Sequence, residues 1–198
     1  MRTSLLLASK SAARRSVLQG VGVPFETVGS GVDEDLAKAS LRERRATPRE
    51  VAEALAQDKA LAVSAGRPEL VIGADQTLEF QGKLYDKAET LAEARQRLRT
   101  LRGAPHMLHS AVVVAKDGDV VWRETKTATL TMRAFSDAFL EEYLTAEGDA
   151  ALGSVGCYRL EGPGVQLFSQ IEGDYFTILG LPLMGLLEML RQTGVLSS

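Results

Sequence analysis

Several charged side chains of this sequence interrupt stretches that otherwise read as apolar elements, and their types suit the handling of a polyanion. In "LVIGADQTLEF", residues 70–80, the run Leu70-Val71-Ile72 reads as a buried strand that closes on Gly73-Ala74 before presenting Asp75 and Gln76. An Asp after a strand is ordinarily part of a solvated turn, but two small residues just before it suggest that something large approaches the backbone there. In "TPREVAEALAQDKALAVSAG", Val51, Leu55, Lys59 and Val63 recur at steps of four, so Lys59 interrupts the stripe that should face the core. Such a lysine either snorkels outward or sets an ammonium in a cleft. In "ASKSAARR" a strand ends in small residues and the hydroxyls of Ser9 and Ser11, and a helix begins whose positive end faces the loop. That turn can hold phosphate. Arg14 and Arg15 oppose the helix dipole, so they either answer an anion or are solvated surface arginines. The acidic "GVDED", Gly31 to Asp35, is a solvated loop by itself, but folded back beside Asp75 it would bring together oxygen ligands for Mg²⁺. No Walker A loop is present, and "GVGVPF" follows a helix and lacks the third glycine of a dinucleotide fingerprint.

The elements that must position these groups follow from punctuation and periodicity. Ser4 to Ala8 reads as a strand, the next segment as a helix stopping near Gly20 to Gly22, and Phe25 to Val28 as a second strand, a βαβ-like opening. Thr47, Pro48 and Glu50 form a capping-box start for a helix ending at Gly66, and Thr90 with Glu93 repeats the box. Strands from His106 to Ala115 and from Val120 to Met132 are joined through Asp117-Gly118, a hairpin signal. A helix after Ser136, a glycine-rich segment, a strand around Val165 to Ile171 and a helix from about Pro182 to Gln192 complete an α/β pattern with a mixed sheet.

Composition sets the outer bounds. With 198 residues, 45% hydrophobic and 25% charged, the chain suits one globular domain or two intimate lobes around a substantial core. Cys157 is the single cysteine, which rules out an internal disulfide, and no Cys/His cluster has zinc-ligand spacing. His106 and His109 lie in one predicted strand at odd separation, so they should face opposite sides and make neither a metal site nor a triad. The apolar part of "MRTSLLLASKSAARR" is too short for a secretory h-region or a membrane span, which predicts a cytoplasmic protein with no membrane partner. A net charge of −3 disfavours general nucleic-acid binding yet permits a local basic pocket.

In order along the chain, "LLLASKSAARRSVL", "SGVDE", "IGADQT", "YDKAET", "LRGAPHMLHSAVVV" and "IEGDYFTILGLPL" resemble the motifs of the Maf-like nucleotide pyrophosphatases, over nearly its whole length. The resemblance implies a single α/β domain over 1–198, related to the inosine-triphosphate pyrophosphatases, with two intimate lobes flanking a central cleft and frequently a homodimer. It implies hydrolysis of a nucleoside triphosphate to monophosphate and pyrophosphate with a divalent cation, Mg²⁺ or alternatively Mn²⁺. Some members are associated with septum formation and division arrest, which implies a partner in the division machinery. By motif, Asp75 is similar to the family's catalytic carboxylate, acting jointly as base and metal ligand, and Glu34 to its acidic metal-side residue. Lys59 and Lys87 match its phosphate-facing lysines, and Ser11 and Arg14 the serine and second basic residue of its phosphate loop. The departures are Ala12 in place of a common proline and Ala13 in place of Arg or a bulky aromatic, with Arg15, just beyond Arg14, as a compensating cation.

The chemistry fits those residue types. Cations neutralise the triphosphate, and Asp75 orients or deprotonates water for in-line attack on the α-phosphorus. Gln76 and Glu161 resemble the pair found in the 7-methyl-GTP type, where dTTP and UTP enzymes carry Thr and Gln. A carboxylate accepts N1–H and the N2 amino group of guanine together, which favours a modified purine such as 7-methyl-GTP. A catalytically weak nucleotide sensor regulating septum formation and a dTTP/UTP pyrophosphatase are the alternatives.

Overall fold

A computed structural model describes residues 4–197; the first three residues of the N-terminal stretch considered above as a leader lie outside the described residues. The chain opens with β1 (Leu5–Leu7), α1 (Ala12–Gly20) and β2 (Glu26–Thr27), and β2 returns parallel to β1, the βαβ unit that the sequence predicts. Then come α2 (Glu34–Glu43), α3 (Pro48–Ser64), β3 (Leu70–Phe80), β4 (Lys83–Tyr85) and α4 (Leu91–Leu101). The hairpin β5 (Pro105–Lys116) and β6 (Asp119–Met132) leads to α5 (Asp137–Glu147) and two 3₁₀ segments, Gly148–Gly153 and Pro163–Leu167. The chain closes with β7 (Phe168–Glu172), α6 (Tyr175–Ile178) and α7 (Leu183–Gln192). One mixed sheet in the order β2-β1-β3-β5-β6-β7 results, with β4 on β3.

The strand β3 decides where a site can form. Its first half pairs in parallel with β1, Leu5 opposite Leu70 to Leu7 opposite Ile72, and its last residues pair antiparallel with β4, Leu78 opposite Tyr85. Between these partners one edge of β3 is open, because β1 has turned away into the loop that starts α1. Asp75 lies in this opening. The sequence reading ended the strand at Gly73-Ala74; the strand instead runs through them to Phe80, so Asp75 is a mid-strand residue. The large object approaching the small residues is the helix α3, since a Cβ on Gly73 would lie 2.2 Å from the Ala56 carbonyl oxygen and 2.5 Å from the Ala60 nitrogen.

Alternation puts the even-numbered residues of β3 on one face, where two clusters follow one another along the strand. Ile72 and Ala74 pack with Val17, Leu18 and Leu186 of α1 and α7, whereas Leu78 and Phe80 join Leu98, Leu101, Leu140 and Tyr143 of α4 and α5. Each fully buried leucine of these clusters stabilises the fold by roughly 1.5–3 kcal/mol relative to exposure. On the opposite face α3 lies close on the sheet through Ala52, Ala56 and Ala60 against Ala111, Val113 and Ala115. Small side chains at both surfaces permit that approach, which brings the α3 side chains level with Asp75.

Local chemistry explains most boundaries. Thr47 and Glu50 close a full capping box on α3. The second box closes only half way: Thr90 accepts from the Glu93 amide, but the Glu93 carboxylate takes the amide of Glu89, one residue before the cap. Asp117 and Gly118 both adopt positive φ, 52° and 87°, as a two-residue hairpin turn requires. The strand expected around Val165 starts only at Phe168, because Pro163 opens a 3₁₀ turn ahead of it. The acidic segment read as a loop begins a helix, with Asp33 as N-cap accepting from the Leu36 amide at 3.0 Å and Glu34 and Asp35 in the favoured first turn. His106 and His109 face opposite sides of the sheet, the first bonded to Tyr158 and the second to Glu79 and Thr127. Among the described residues no helix is long and apolar enough to cross a membrane.

Candidate active site

A cleft of about 1670 Å³ opens at the break between β1 and β4, and Ser11, Ala13, Arg14, Glu34, Lys59, Asp75, Gln76, Lys87 and Glu161 all line it. Its floor is an ion triad. Lys59 reaches from α3 with its Nζ 2.6 Å from Asp75 Oδ1 and 2.8 Å from Glu34 Oε1. Lys59 is 6% exposed and Asp75 7%, so the lysine does not snorkel; it lies on the same buried helix face as Val51, Leu55 and Val63. Two carboxylates from separate segments thus converge on one cationic point, as the fold-back of the acidic segment beside Asp75 requires. Burial alone would raise the Glu34 carboxyl, but the hydrogen bond and charge of Lys59, helped by Lys38 and Arg14, hold it below the ordinary glutamate range.

The loop from β1 to α1 forms the adjoining wall. Ser11 caps α1, its Oγ accepting from the Arg14 amide at 3.4 Å. The buried Arg14 side chain folds back, Nε donating to the Gly180 carbonyl at 2.9 Å and Nη1 to Ser9 Oγ at 3.1 Å. Burial lowers its proton affinity while the charges of Asp75 and Glu34 work the other way. Arg15 is exposed and lines a separate shallow depression with Lys10 and Thr27, so it does not compensate for Ala13 in the cleft. Lys87 stands at the rim in contact with solvent. Partial burial, followed by the neighbouring charge of Arg14, lowers its pKa, with Glu34 and Asp75 opposing.

The structure adds groups that the sequence reading missed. Lys38 and Arg42 line the cleft from α2 and hold Asp86 between them, at 2.9 Å to Oδ1 and 2.6 Å to Oδ2. Asp86 immediately precedes Lys87, and Arg97 Nη1 binds its carbonyl oxygen at 2.8 Å, so this network fixes the backbone that carries Lys87. Burial lowers the Lys38 pKa, but its hydrogen bond to Asp86 together with the charges of Asp86, Asp75 and Glu34 more than reverses that and leaves it raised. Glu34, Lys38 and Arg42 are spaced by four, a helical signal that becomes visible once the acidic segment is treated as an N-cap.

The far end of the cleft is different. Gln76 points to the face opposite Asp75, its Nε2 donating to Ser110 Oγ and the Ile178 carbonyl, both at 2.9 Å. Glu161 is exposed on the glycine-rich segment. Tyr158 in the same segment lines the cleft and bonds His106 Nε2 at 2.7 Å. Burial pushes the His106 imidazole down to about 4. Arg159, also absent from the sequence reading, lines the cleft on the same segment.

The donor set can be weighed against a divalent cation. Among the described residues no three His, Cys, Asp or Glu side chains gather into a self-sufficient cage. Glu34 and Asp75 nevertheless converge on one point, which the Lys59 ammonium occupies. Hard oxygen donors of this kind suit Mg²⁺ that brings most of its ligands as water and phosphate oxygens.

A family model described as Maf-like protein matches residues 4–193. The nucleoside triphosphate pyrophosphatase of Caulobacter vibrioides is 59% identical over 195 residues, 98% of each chain. The 7-methyl-GTP pyrophosphatase of Brucella abortus is 46% identical over 193 residues, 97% of each chain. Among solved structures, a HAM1 protein from Coxiella burnetii aligns at 11% identity and a TM-score of 0.39 over 67% of this chain and 74% of that one.

Proposed function

The chain belongs to the Maf-like family, and from that premise we propose that it is a nucleoside triphosphate pyrophosphatase, a hydrolase that converts a nucleoside triphosphate and water into monophosphate and pyrophosphate. The observation that carries this reading is the Lys59 ammonium clamped between Asp75 and Glu34 on the floor of a cleft also lined by Arg14 and Lys87. A triphosphate repels an anionic nucleophile, so hydrolysis needs cations around the phosphates and a base beside the attacked phosphorus. Arg14, Lys59 and Lys87 supply the first and Asp75 the second. The exposed amide groups at the start of α1, capped by Ser11, add donors for phosphate oxygens. Glu34 and Asp75 would hold Mg²⁺, or Mn²⁺ in its place, whose chemistry is to neutralise the leaving pyrophosphate and acidify water. Asp75 acts as base and ligand together, and its ion pair with Lys59 keeps it aligned.

At the other end, Glu161 accepts the N1–H and N2 amino group of a guanine, and Gln76 lines the passage to it. Ala13 counts against the 7-methyl-GTP type, which carries a bulky aromatic there to stack on the base, and leaves a broader pocket; Gln76 and Glu161 outweigh it. The substrate class we propose is therefore a modified purine triphosphate such as 7-methyl-GTP, ahead of dTTP and UTP. Action in the cytoplasm, homodimerisation and a link to division arrest come with the family resemblance. Purified protein incubated with Mg²⁺ and a panel of nucleotides should release pyrophosphate and monophosphate in equal amounts. Binding without turnover would favour the sensor reading, and release of orthophosphate would contradict attack at the α-phosphorus.

A further inference from the structure

The chemistry at the phosphate end leaves Arg159 unused. Its Nε and Nη2 donate to the two carboxylate oxygens of Glu147 at 2.9 and 3.3 Å. Glu147 ends α5 and is 7% exposed, so a buried carboxylate anchors an arginine that itself remains exposed and lines the cleft. A guanidinium is a planar fork, and two bonds on one side fix its plane and aim its remaining N–H groups the other way. The turn that follows is rigid. The Gly162 amide donates to the Arg159 carbonyl at 3.2 Å, and a Cβ on Gly164 would come within 2.5 Å of that same oxygen. Glu161 lies inside this turn and lines the same cleft. Arg159 feels the charges of Glu147 and Glu161, whereas Arg14, Glu34, Lys59, Asp75 and Lys87 act on one another. A fixed donor beside an acceptor thus stands apart from the phosphate binders.

We propose that Arg159 is a specificity-determining residue that donates to the keto oxygen of the base while Glu161 accepts the adjacent ring N–H, so that the cleft selects keto bases over amino bases. This rests on the pyrophosphatase reading, which puts the phosphates at the Lys59 end and the base at Arg159. Hypoxanthine and guanine present O6 beside N1–H, and uracil and thymine present O4 beside N3–H, an acceptor next to a donor in each case. Adenine and cytosine reverse the pattern, setting an amino group against Arg159 and a ring lone pair against Glu161. Guanine adds its N2 amino group for the second Glu161 oxygen. Methylation at N7 leaves this edge intact, so a 7-methylated guanine keeps every contact.

The test compares ITP with ATP and UTP with CTP, pairs that differ only along this edge, by pyrophosphate release and by binding affinity in parallel. Wild type should favour the keto member of each pair by about tenfold, the usual scale for a well-placed side-chain contact to a base. Arg159→Met combined with Glu147→Met removes both partners, so that no buried carboxylate is left without its cation, and so protects the fold. In that variant both ratios should fall to near one. Glu147→Gln, which keeps the volume but frees Arg159 from its clamp, should lower both ratios part of the way. Wild-type ratios near one, or ratios unchanged in the double variant, would overturn the assignment. Keto-selective binding without pyrophosphate release would instead remove the pyrophosphatase reading and leave the role of Arg159 standing, while turnover without selectivity would do the reverse.

Discussion

The two ends of the cleft are built on different principles. At the end proposed to bind phosphate each charged group sits on a regular element: Lys59 mid-helix in α3, Asp75 mid-strand in β3, Glu34 and Arg14 in the first turns of α2 and α1. At the base end Arg159 and Glu161 sit on a turn between two 3₁₀ segments, held by the buried Glu147 and by the His106–Tyr158 bond. The first arrangement fixes positions through packing that involves the whole core. The second fixes them through a few polar bonds. A fold of this kind can therefore alter which base it accepts while leaving its hydrolytic centre intact.

Ways to break this division begin with Asp75→Asn. The amide is nearly isosteric but takes no proton and ligates metal poorly, so kcat for pyrophosphate release should fall by about 10²-fold or more with the melting temperature little changed. Retained activity would remove Asp75 from the chemistry. Next in size is Gly73→Ala, whose Cβ meets α3 backbone at 2.2 Å and must push the helix off the sheet. Denaturant unfolding should reveal a loss of about 3 kcal/mol, and the displaced Lys59 should depress turnover of every nucleotide alike.

The base end should be more sensitive to acid. The unfolded chain protonates His106 near its ordinary 6.5, whereas the folded protein does so only near 4. The unfolded state therefore binds the extra proton within that window, and stability falls by up to about 3 kcal/mol as pH drops through it, with no effect above it. His106→Gln should flatten this part of the pH–stability curve, measured by thermal melts between pH 4 and 7; an unchanged slope would place the acid sensitivity elsewhere. The smallest effect on folding belongs to Lys87→Ala, a rim residue whose loss should change stability by less than about 0.5 kcal/mol while raising KM. Because the Lys87 pKa is lowered, nucleotide affinity in wild type should weaken with rising pH before the ordinary lysine range is reached, and the variant should lack that limb.

The same division governed what could be read from sequence. Lys59 and Ser11 were legible because an interrupted helical stripe and an N-cap are local patterns. Asp75 was singled out by its type, but its place was misread: the closeness of α3 to Gly73 is a tertiary contact that no local rule contains. Missing α2 hid Lys38 and Arg42, although Asp33 already carried the capping signal. Arg159 was illegible in a stronger sense, since only the pairing with Glu147, twelve residues away on another element, turns a surface arginine into an aimed donor.

The division itself is tested most directly by measuring kcat and KM of wild type, Asp75→Asn and Glu161→Gln over one panel containing 7-methyl-GTP, GTP, dTTP, UTP and ATP. The account predicts that Asp75→Asn lowers kcat for all five nucleotides without reordering them, whereas Glu161→Gln reorders them toward the pyrimidines and leaves kcat for its preferred substrate near the wild-type value. If Asp75→Asn changes the ranking while Glu161→Gln lowers turnover uniformly, the two ends do not divide the work in this way and the account is wrong.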